Sequence, residues 1–234
     1  MALALKGRTA IVTGASRGIG AAIARELGRA GAHVILVARS SADLEQVETD
    51  IHAAGGTATI APLDLADGDS IARLAVAVQQ RWPVIDMIVL NAAMLGTLTP
   101  VTAIDGAEFN RVLTLNVLAN QALLRAFDPL LRASEQGRVI AITSSVGRKP
   151  RAYWAAYGAS KAALETLVLC YGEEVKNLSP VRVAVIDPGA TATKMREKAF
   201  PGEDPATLRS AEALAVALMN NLAHDAIWGN VTRI

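Results

Sequence analysis

Tyr157 and Lys161 are the pair of side chains in this sequence best suited to chemistry. They are four residues apart in a stretch with helical periodicity, so both side chains lie on one face of the predicted helix. A tyrosine hydroxyl has a pKa of about 10, and a nearby ammonium group lowers that pKa because it stabilises the phenolate. Such a pair could exchange a proton with the oxygen of a carbonyl or an alcohol. The alternative is an amphipathic pair, with a packed tyrosine and a lysine that reaches solvent.

A glycine-rich segment near the start of the chain predicts a phosphate-binding turn. It runs from Thr13 to Gly20, after a short apolar run and before a helical stretch. Gly14 permits a tight turn, Gly18 lets backbone N–H groups approach a pyrophosphate, and Gly20 lets the helix pack closely on the strand. The first turn of the helix adds unpaired N–H donors and a partial positive charge. Taken alone, the segment could also be an ordinary glycine-rich turn between a strand and a helix, which is the less favoured interpretation.

Elements that could position these residues alternate along the whole chain. The strand candidates are mostly continuous runs of Val, Ile and Leu, typical of strands covered on both faces. They span 9–13, 33–38, 57–62, 85–90, 138–143, 181–186 and 230–234. The helix candidates lie near 18–30, 41–54, 68–81, 105–132, 154–178 and 207–223. The alternation predicts an α/β, doubly wound, mostly parallel sheet of seven strands with helices on both faces, in one domain over residues 1–234.

The candidate functional residues fall at one edge of this predicted sheet. Gly14, Asp64, Asn91, Ser144 and Pro188 each stand at or just after the carboxyl end of a different strand candidate. In a doubly wound sheet, ligands bind in the crevice beyond the carboxyl ends of the strands. The five strands are therefore expected to bring these residues to one crevice.

The whole pattern resembles the short-chain dehydrogenase/reductase family, from about Lys6 to the C-terminus. The resemblance implies a Rossmann-type fold and hydride transfer between a nicotinamide and a carbonyl or alcohol. It also implies that Tyr157 is the general acid/base and that Lys161 binds the nicotinamide ribose. Ser144, thirteen residues before Tyr157, would polarise the substrate oxygen, with Ser145 as the competing position.

Asn116 falls where the family has an asparagine that holds a water molecule linking the catalytic lysine to solvent. Asn120 shares its helical face and is the competing position. A buried asparagine needs hydrogen-bond partners, so a structural bond to a neighbouring helix is the other interpretation.

By the same resemblance, the cofactor site extends over several turns. Asp64 would cap the adenine amino group, although capping of the next helix is an alternative. Leu90 and Ala93 depart from the family's Asn-Asn-Ala-Gly segment, and we expect a small shift in packing there. The expected cofactor contacts are Gly14, Ser16, Arg17, Gly18, Ile19, Gly20, Arg39, Asp64, Leu65, Asn91, Ala92, Tyr157, Lys161, Pro188, Gly189, Thr191 and Thr193.

The end of the second strand candidate favours NADP(H) over NAD(H). A carboxylate at this position would bind the ribose 2′-hydroxyl and repel a 2′-phosphate, but the residue is Ala38. Arg39 follows it and Arg17 lies in the glycine segment, with no opposing acid expected. Arginine can hold a phosphate in bidentate fashion, so the two residues suit a 2′-phosphate. The alternative is that they are solvated surface side chains.

The substrate side of the crevice carries weaker signals. Residues 190–206 are irregular and are expected to form a substrate lid, which is where the family carries one. Met94 and Trp154, with Ser144 and Tyr157, are expected to line the substrate pocket; Met94 and Trp154 could instead pack on the surface or between subunits. The apolar helices 105–132 and 154–178 have equivalents in the family that pack between subunits, so a homodimer or homotetramer is expected.

Composition narrows the class of protein. The chain has 234 residues, 52% hydrophobic, and a net charge of +1, so no basic surface for nucleic acid is expected. It shows no leader and no membrane-length apolar run, and it has one cysteine, Cys170, which its apolar neighbours suggest is buried. No metal site is expected from three scattered histidines and one cysteine. These features predict a cytoplasmic protein.

The sequence therefore predicts an NADP(H)-dependent oxidoreductase acting on a ketone, an aldehyde or a secondary alcohol. Two alternatives stay open. The first is a 3-oxoacyl thioester reductase, although the chain ends at Gly229–Ile234 without the Val-Asp-Gly-Gly ending of many such relatives. The second is a non-catalytic nicotinamide-binding sensor or scaffold.

Overall fold

A computed structural model describes residues 4–224 and 227–234 of the chain. Residues 1–3, which belong to the segment expected to lack a leader, lie outside the described residues. The described strands are β1 (Thr9–Thr13), β2 (His33–Ala38), β3 (Thr57–Pro62), β4 (Met87–Leu90), β5 (Arg138–Ile142), β6 (Arg182–Asp187) and β7 (Val231–Arg233). All pair in parallel, in the order β3-β2-β1-β4-β5-β6-β7. The predicted Rossmann-type doubly wound sheet is confirmed.

Helices cover both faces of the sheet. They are α1 (Gly18–Arg29), α2 (Ser41–Ala53), α3 (Ser70–Arg81), α4 (Gly106–Leu113), α5 (Ala119–Arg132), α6 (Ala155–Val175), α7 (Lys194–Ala199) and α8 (Ala211–Ala223). One core lies between the sheet and α1, α2 and α8, and the other lies between the sheet and α3, α5 and α6. The central strands β1 and β4 are buried throughout, which explains their uninterrupted apolar sequences.

Three predicted helices differ from the observed ones. The stretch 105–132 contains a π-helical turn, Thr114–Leu118, between α4 and α5. The stretch 154–178 ends at Val175, and the last helix begins only at Ala211, where the Ser210 hydroxyl accepts a hydrogen bond from the Ala213 N–H at 3.0 Å. The six-residue helix α7 was not predicted, because it lies in the expected lid and is too short to show a period.

The expectation that Cys170 is buried is wrong. Cys170 is exposed on the outer face of α6. The face of α6 that packs against the sheet carries Leu164, Val168 and Val175, and Cys170 points away from it.

Candidate active site

The glycine turn between β1 and α1 is built by close packing. Gly14 has a φ of +64°, the left-handed conformation that glycine adopts without strain. Gly20 lies so near the Gly14 carbonyl and the Asn91 side chain that a Cβ atom at position 20 would overlap both. The N-terminus of α1 therefore sits tightly against the end of β1, with the N–H groups of its first turn available to a phosphate.

Asn91 holds this turn in place. Its Nδ2 atom donates to the carbonyl oxygens of Thr13 and Gly14 at 2.9 and 3.3 Å. The Thr13 hydroxyl in turn accepts from the backbone N–H groups of Asn91 and Ala92 at 2.9 and 3.1 Å. The Nδ2 group of Asn91 thus joins the end of β4 to the glycine turn.

The carboxyl end of β2 carries a positive charge and one nearby acid. Ala38 ends the strand, and Arg39 and Arg17 are both exposed. The expectation that no acid opposes these arginines is wrong, because Asp64 Oδ2 lies 3.9 Å from Arg39 Nη1. Both side chains are largely solvated, at 76% and 47% exposure, so the pair is weak and leaves Arg39 available to a phosphate.

The remaining residues of the adenosine side lie around the same edge. Asp64 also accepts a hydrogen bond from the Ala66 N–H at 2.9 Å, so it stabilises its own turn, and Asp69 rather than Asp64 precedes α3. Leu65 is buried, whereas Ser16 and Ile19 are half-buried at the start of α1.

Tyr157 and Lys161 lie together in the first half of α6. Tyr157 is 8% exposed and Lys161 is 2% exposed. The Lys161 Nζ atom is 5.6 Å from the centre of the Tyr157 ring and donates to the carbonyl oxygen of Ile142 at 2.8 Å. The end of β5 therefore anchors the ammonium group beside the tyrosine.

The electrostatics of this pair differ from the expectation. Burial raises the pKa of Tyr157, and the Asp187 carboxylate raises it further, so the expected lowering of this pKa is wrong for the protein without cofactor. Burial lowers the pKa of Lys161 to about 8, although the Glu165 carboxylate acts in the opposite direction. The reason is that both groups are almost fully removed from water, which disfavours phenolate and ammonium alike.

Asn116 lies in the π-helical turn and is fully buried. Its amide accepts from the Met94 N–H and donates to the Met94 carbonyl and to the Ser160 hydroxyl, each at 2.9 Å. Asn120 donates to the Asn116 carbonyl oxygen at 2.8 Å. The Asn116 side chain thus joins the segment after β4 to α6, one residue before Lys161. This arrangement supports a structural role for the Asn116 side chain, as a bond between neighbouring segments. The Asn120 side chain is bonded to the Asn116 backbone.

Ser144 stands between β5 and a short 3₁₀ turn, Ser145–Gly147. Its backbone is extended, and its hydroxyl has no hydrogen-bond partner within residues 4–224 and 227–234. A hydroxyl left free beside the Tyr157 helix is available to a substrate oxygen. Ser145 is also half-buried and stays the alternative.

The turn after β6 leads into the segment expected to form a lid. The Asp187 carboxylate accepts from the Gly189 N–H at 3.1 Å and so shapes the turn that contains Pro188. The buried Thr191 donates to the Pro188 carbonyl at 3.1 Å. Thr193 lies close to the glycine turn, since a Cβ atom on Gly18 would be 3.4 Å from its methyl group. The turn after β6 and the turn after β1 therefore lie close to each other at the carboxyl edge of the sheet.

The segment expected to form a lid closes back on itself and carries an aromatic side chain that contacts Trp154. Thr191 and Arg209 form a parallel bridge, and the Ala192 N–H donates to the Arg209 carbonyl at 2.8 Å. Between these ends, Phe200 lies 5.5 Å from Trp154, measured between ring centres. Trp154 in turn makes an edge contact with Tyr157 at 6.1 Å. Trp154 therefore lies next to the tyrosine, and its place in a substrate pocket stays a prediction.

Three residues of the site were not predicted. Phe200 lies in the predicted lid, but no periodicity marks it as a pocket residue. Arg148 and Glu165 are joined by an ion pair of 2.6 Å close to Lys161. The position of Glu165, one turn after Lys161 on the same face of α6, was the only available sequence signal.

No group of histidine, cysteine and acidic side chains within residues 4–224 and 227–234 could hold a metal ion. No helix among them is both long and apolar enough to cross a membrane.

Comparison with known proteins identifies relatives of the whole arrangement. The short chain dehydrogenase family matches residues 8–204 of this chain. Uncharacterized oxidoreductase YciK of Escherichia coli (strain K12) is 37% identical over 209 residues, which is 88% of this chain and 82% of the relative. Fatty acyl-CoA reductase of Acinetobacter baylyi is 36% identical over 173 residues, which is 73% of this chain and 58% of the relative.

A solved structure shows the same fold with a nucleotide. A short chain dehydrogenase from Escherichia coli CFT073, complexed with NADPH, has a TM-score of 0.93 and 34% identity. The match covers 99% of this chain and 98% of the other.

Proposed function

Because the chain belongs to the short chain dehydrogenase family, we propose that it is an NADP(H)-dependent oxidoreductase. Its substrate would be a ketone, an aldehyde or a secondary alcohol. The observation that carries this proposal is the burial of Tyr157 and Lys161 together at the carboxyl edge of the sheet, beside the free hydroxyl of Ser144.

The adenosine side supports NADP(H) rather than NAD(H). The end of β2 offers Ala38 in place of a carboxylate, and Arg39 and Arg17 are exposed near it. A similar structure is complexed with NADPH. The residues present fit this cofactor, because a phosphate meets guanidinium groups and the free N–H groups at the start of α1.

The residues of α6 and β5 would handle the proton. Bound NADPH supplies the hydride that adds to the carbonyl carbon. As the electrons of the C=O π bond move to oxygen, the O–H proton of Tyr157 transfers to that oxygen and leaves a phenolate. Lys161 stabilises the phenolate by its charge, and Ser144 donates a hydrogen bond to the substrate oxygen. Burial and Asp187 raise the pKa of Tyr157 and make it a weaker acid, so the positive charge of Lys161 has to offset this effect in the reaction.

The test is oxidation of NADPH and NADH with a panel of ketones, aldehydes and a 3-oxoacyl thioester. We expect NADPH oxidation by the wild type and its loss in Tyr157→Phe, with NADP⁺ binding retained. Tyr171→Phe is the matched control, because it removes a phenol oxygen from the far end of the same helix, where Tyr171 donates to Asp128 at 2.7 Å. Equal turnover in wild type and Tyr157→Phe would refute the role of Tyr157.

Two alternatives are separated by the same panel. The aromatic contact between Trp154 and Phe200, beside Tyr157, favours a 3-oxoacyl thioester as the second substrate class. Turnover confined to the thioester would select it. NADP⁺ binding without turnover of any member would favour a sensor or scaffold.

A further inference from the structure

Arg148 bridges two buried carboxylates behind the catalytic pair. Its Nη1 atom donates to Glu165 at 2.6 Å and its Nη2 atom donates to Asp187 at 2.8 Å. The two acidic side chains are only 8% and 4% exposed, whereas the Arg148 side chain, which reaches them from the surface, is 37% exposed. Two carboxylates so far removed from water require a positive partner, and Arg148 is the cation that both share.

The bridge connects the three segments that carry the proposed chemistry. Arg148 directly follows the turn after Ser144. Glu165 lies one helical turn after Lys161 on α6 and also accepts a hydrogen bond from Thr143 at 2.6 Å. Asp187 shapes the turn of Pro188 and Gly189 through its bond to the Gly189 N–H. One guanidinium thus fixes the serine turn, the tyrosine–lysine helix and the turn expected at the nicotinamide relative to one another.

The turn that follows Ser144 is in close contact with α6. A Cβ atom on Gly147 would lie 3.0 Å from the Ala162 nitrogen and 3.2 Å from a Glu165 carboxylate oxygen. The turn that carries Arg148 therefore packs directly on α6, and a shift of Arg148 would be transmitted to the helix.

The charges around the catalytic pair come from four segments. Lys161 and Tyr157 belong to α6, as does Glu165, which acts on Lys161; Asp187 acts on Tyr157 from β6. The Ile142 carbonyl faces Lys161 from β5. Arg148 is the cation from the serine turn. Across the crevice, the guanidinium of Arg151 lies over the Trp154 ring at 5.7 Å, on the side of the lid.

From this geometry we propose that Arg148 is a positioning residue that balances Glu165 and Asp187 and thereby sets the protonation of Lys161 and Tyr157. The inference rests on the proposed function for its catalytic meaning, and it concerns how that site is tuned. Arg148 does not touch the reacting atoms. It acts through the two carboxylates.

Removal of Arg148 has a definite electrostatic sign. Glu165 and Asp187 would then both present uncompensated negative charge to the pair. Negative charge favours the ammonium form of Lys161 and disfavours the phenolate form of Tyr157, so both pKa values would rise. If only structure were lost, stability and rate would fall but neither titration would move.

The test is titration of Lys161 by ¹³Cε-lysine NMR in the protein without cofactor, with Lys161→Met to identify its signal among the six lysines. In Arg148→Gln we expect the Lys161 midpoint to rise by about one pH unit, a tenfold change in its protonation equilibrium. Lys149→Gln is the matched control, since it removes the same charge from the neighbouring, exposed residue. It is expected to leave the midpoint unchanged.

Two further variants separate charge from folding. Arg148→Gln combined with Glu165→Gln removes one charge of each sign and is expected to return the midpoint toward the wild-type value. Arg148→Lys keeps the positive charge but cannot donate to Glu165 and Asp187 at the same time as the guanidinium does. It is therefore expected to preserve the Lys161 midpoint while lowering turnover. If Arg148→Gln does not fold, the double variant is compared with Glu165→Gln alone, in which the Lys161 midpoint is expected to lie lower because a carboxylate that raises its pKa is lost. Equal midpoints in these two variants would overturn the proposal.

The proposal is overturned if the Lys161 midpoint is the same in wild type and Arg148→Gln, or shifts equally in Lys149→Gln. It is also overturned if Arg148→Lys moves the midpoint as far as Arg148→Gln does. Because this titration needs no substrate, it is read separately from the carbonyl panel. A failure of the proposed function appears there instead, as turnover that is absent or independent of Tyr157.

Discussion

The Nζ atom of Lys161 lies 2.8 Å from the carbonyl oxygen of Ile142, the last residue of β5. A backbone carbonyl thus holds the ammonium group of a side chain that is almost fully buried. One hydrogen bond does not replace the hydration of a charge, so the folded protein disfavours the charged form of Lys161.

This burial makes a prediction for stability as a function of pH. The pKa of Lys161 is lowered to about 8 in the folded protein, against about 10.4 in an unfolded chain. Between these values the unfolded chain binds more protons, so this residue makes the protein more stable as the pH rises from about 8 to about 10. Lys161→Met removes the penalty for charging, and we expect it to be more stable than wild type by about 1–2 kcal/mol at neutral pH, and inactive.

Urea unfolding at neutral pH and near pH 10 measures this effect. The difference between Lys161→Met and wild type is expected to narrow at the higher pH. Lys149→Met is the control, because its lysine is exposed. A difference that stays constant with pH would contradict the prediction.

The packing of the glycine turn predicts the effect of a single methyl group. In Gly20→Ala the new Cβ atom overlaps the Gly14 carbonyl and the Asn91 amide, so α1 must move away from β1. We expect a loss of about 1–3 kcal/mol in the free energy of unfolding and weakened NADP⁺ binding. Gly68→Ala is the control, since a Cβ atom there meets nothing within 4 Å. Equal stability of the two variants in chemical denaturation would refute the overlap.

The exposed arginine after β2 predicts cofactor preference. Arg39→Ala is expected to weaken NADP⁺ binding about tenfold, because a charge-assisted contact to the 2′-phosphate is lost, and to leave NAD⁺ binding unchanged. Arg73→Ala serves as the control: this arginine is also exposed, but it pairs with Asp67 on the α3 side. Calorimetric titration of each variant with NADP⁺ and with NAD⁺ measures the ratio of the two dissociation constants. Equal losses for NADP⁺ and NAD⁺ would show that Arg39 does not contact the 2′-phosphate.

The buried asparagine of the π-helical turn predicts a local change. Asn116→Ala leaves both backbone polar groups of Met94 without their partner, and we expect a loss of about 2–4 kcal/mol in stability. The Met94 amide should exchange its hydrogen faster than in wild type. Asn110→Ala, at an exposed position of α4, should change neither quantity. An unchanged exchange rate at the Met94 amide in Asn116→Ala would mean that the two bonds from Asn116 are not needed to hold the backbone around Met94 in place.

The sheet and the grouping of the site could be predicted from the sequence because both depend on local patterns. Strands β1, β2 and β3 begin and end at the predicted residues, since their apolar runs stop at a glycine, an arginine and an acidic turn. Parallel pairing then brings the residues that follow each strand to one edge, whatever the details of the helices.

Features that depend on long-range contacts could not be predicted. The π-helical turn at 114–118 has no glycine or proline to mark it, and the bonds of the Asn116 side chain to Met94 and Ser160 are contacts with residues distant in the sequence. The raised pKa of Tyr157 depends on burial and on Asp187, thirty residues away in the sequence. A lysine four residues along the helix suggested the opposite sign, because spacing alone carries no information about removal from water.

The bridge between Thr191 and Arg209 joins the two ends of the segment that follows β6, so the residues between them form a closed excursion from the sheet. The length and sequence of this excursion can therefore change while the strand order and the hydrogen bonds that hold Lys161 and Asn116 stay as they are. Variation between relatives can accumulate in this segment without disturbing the two cores.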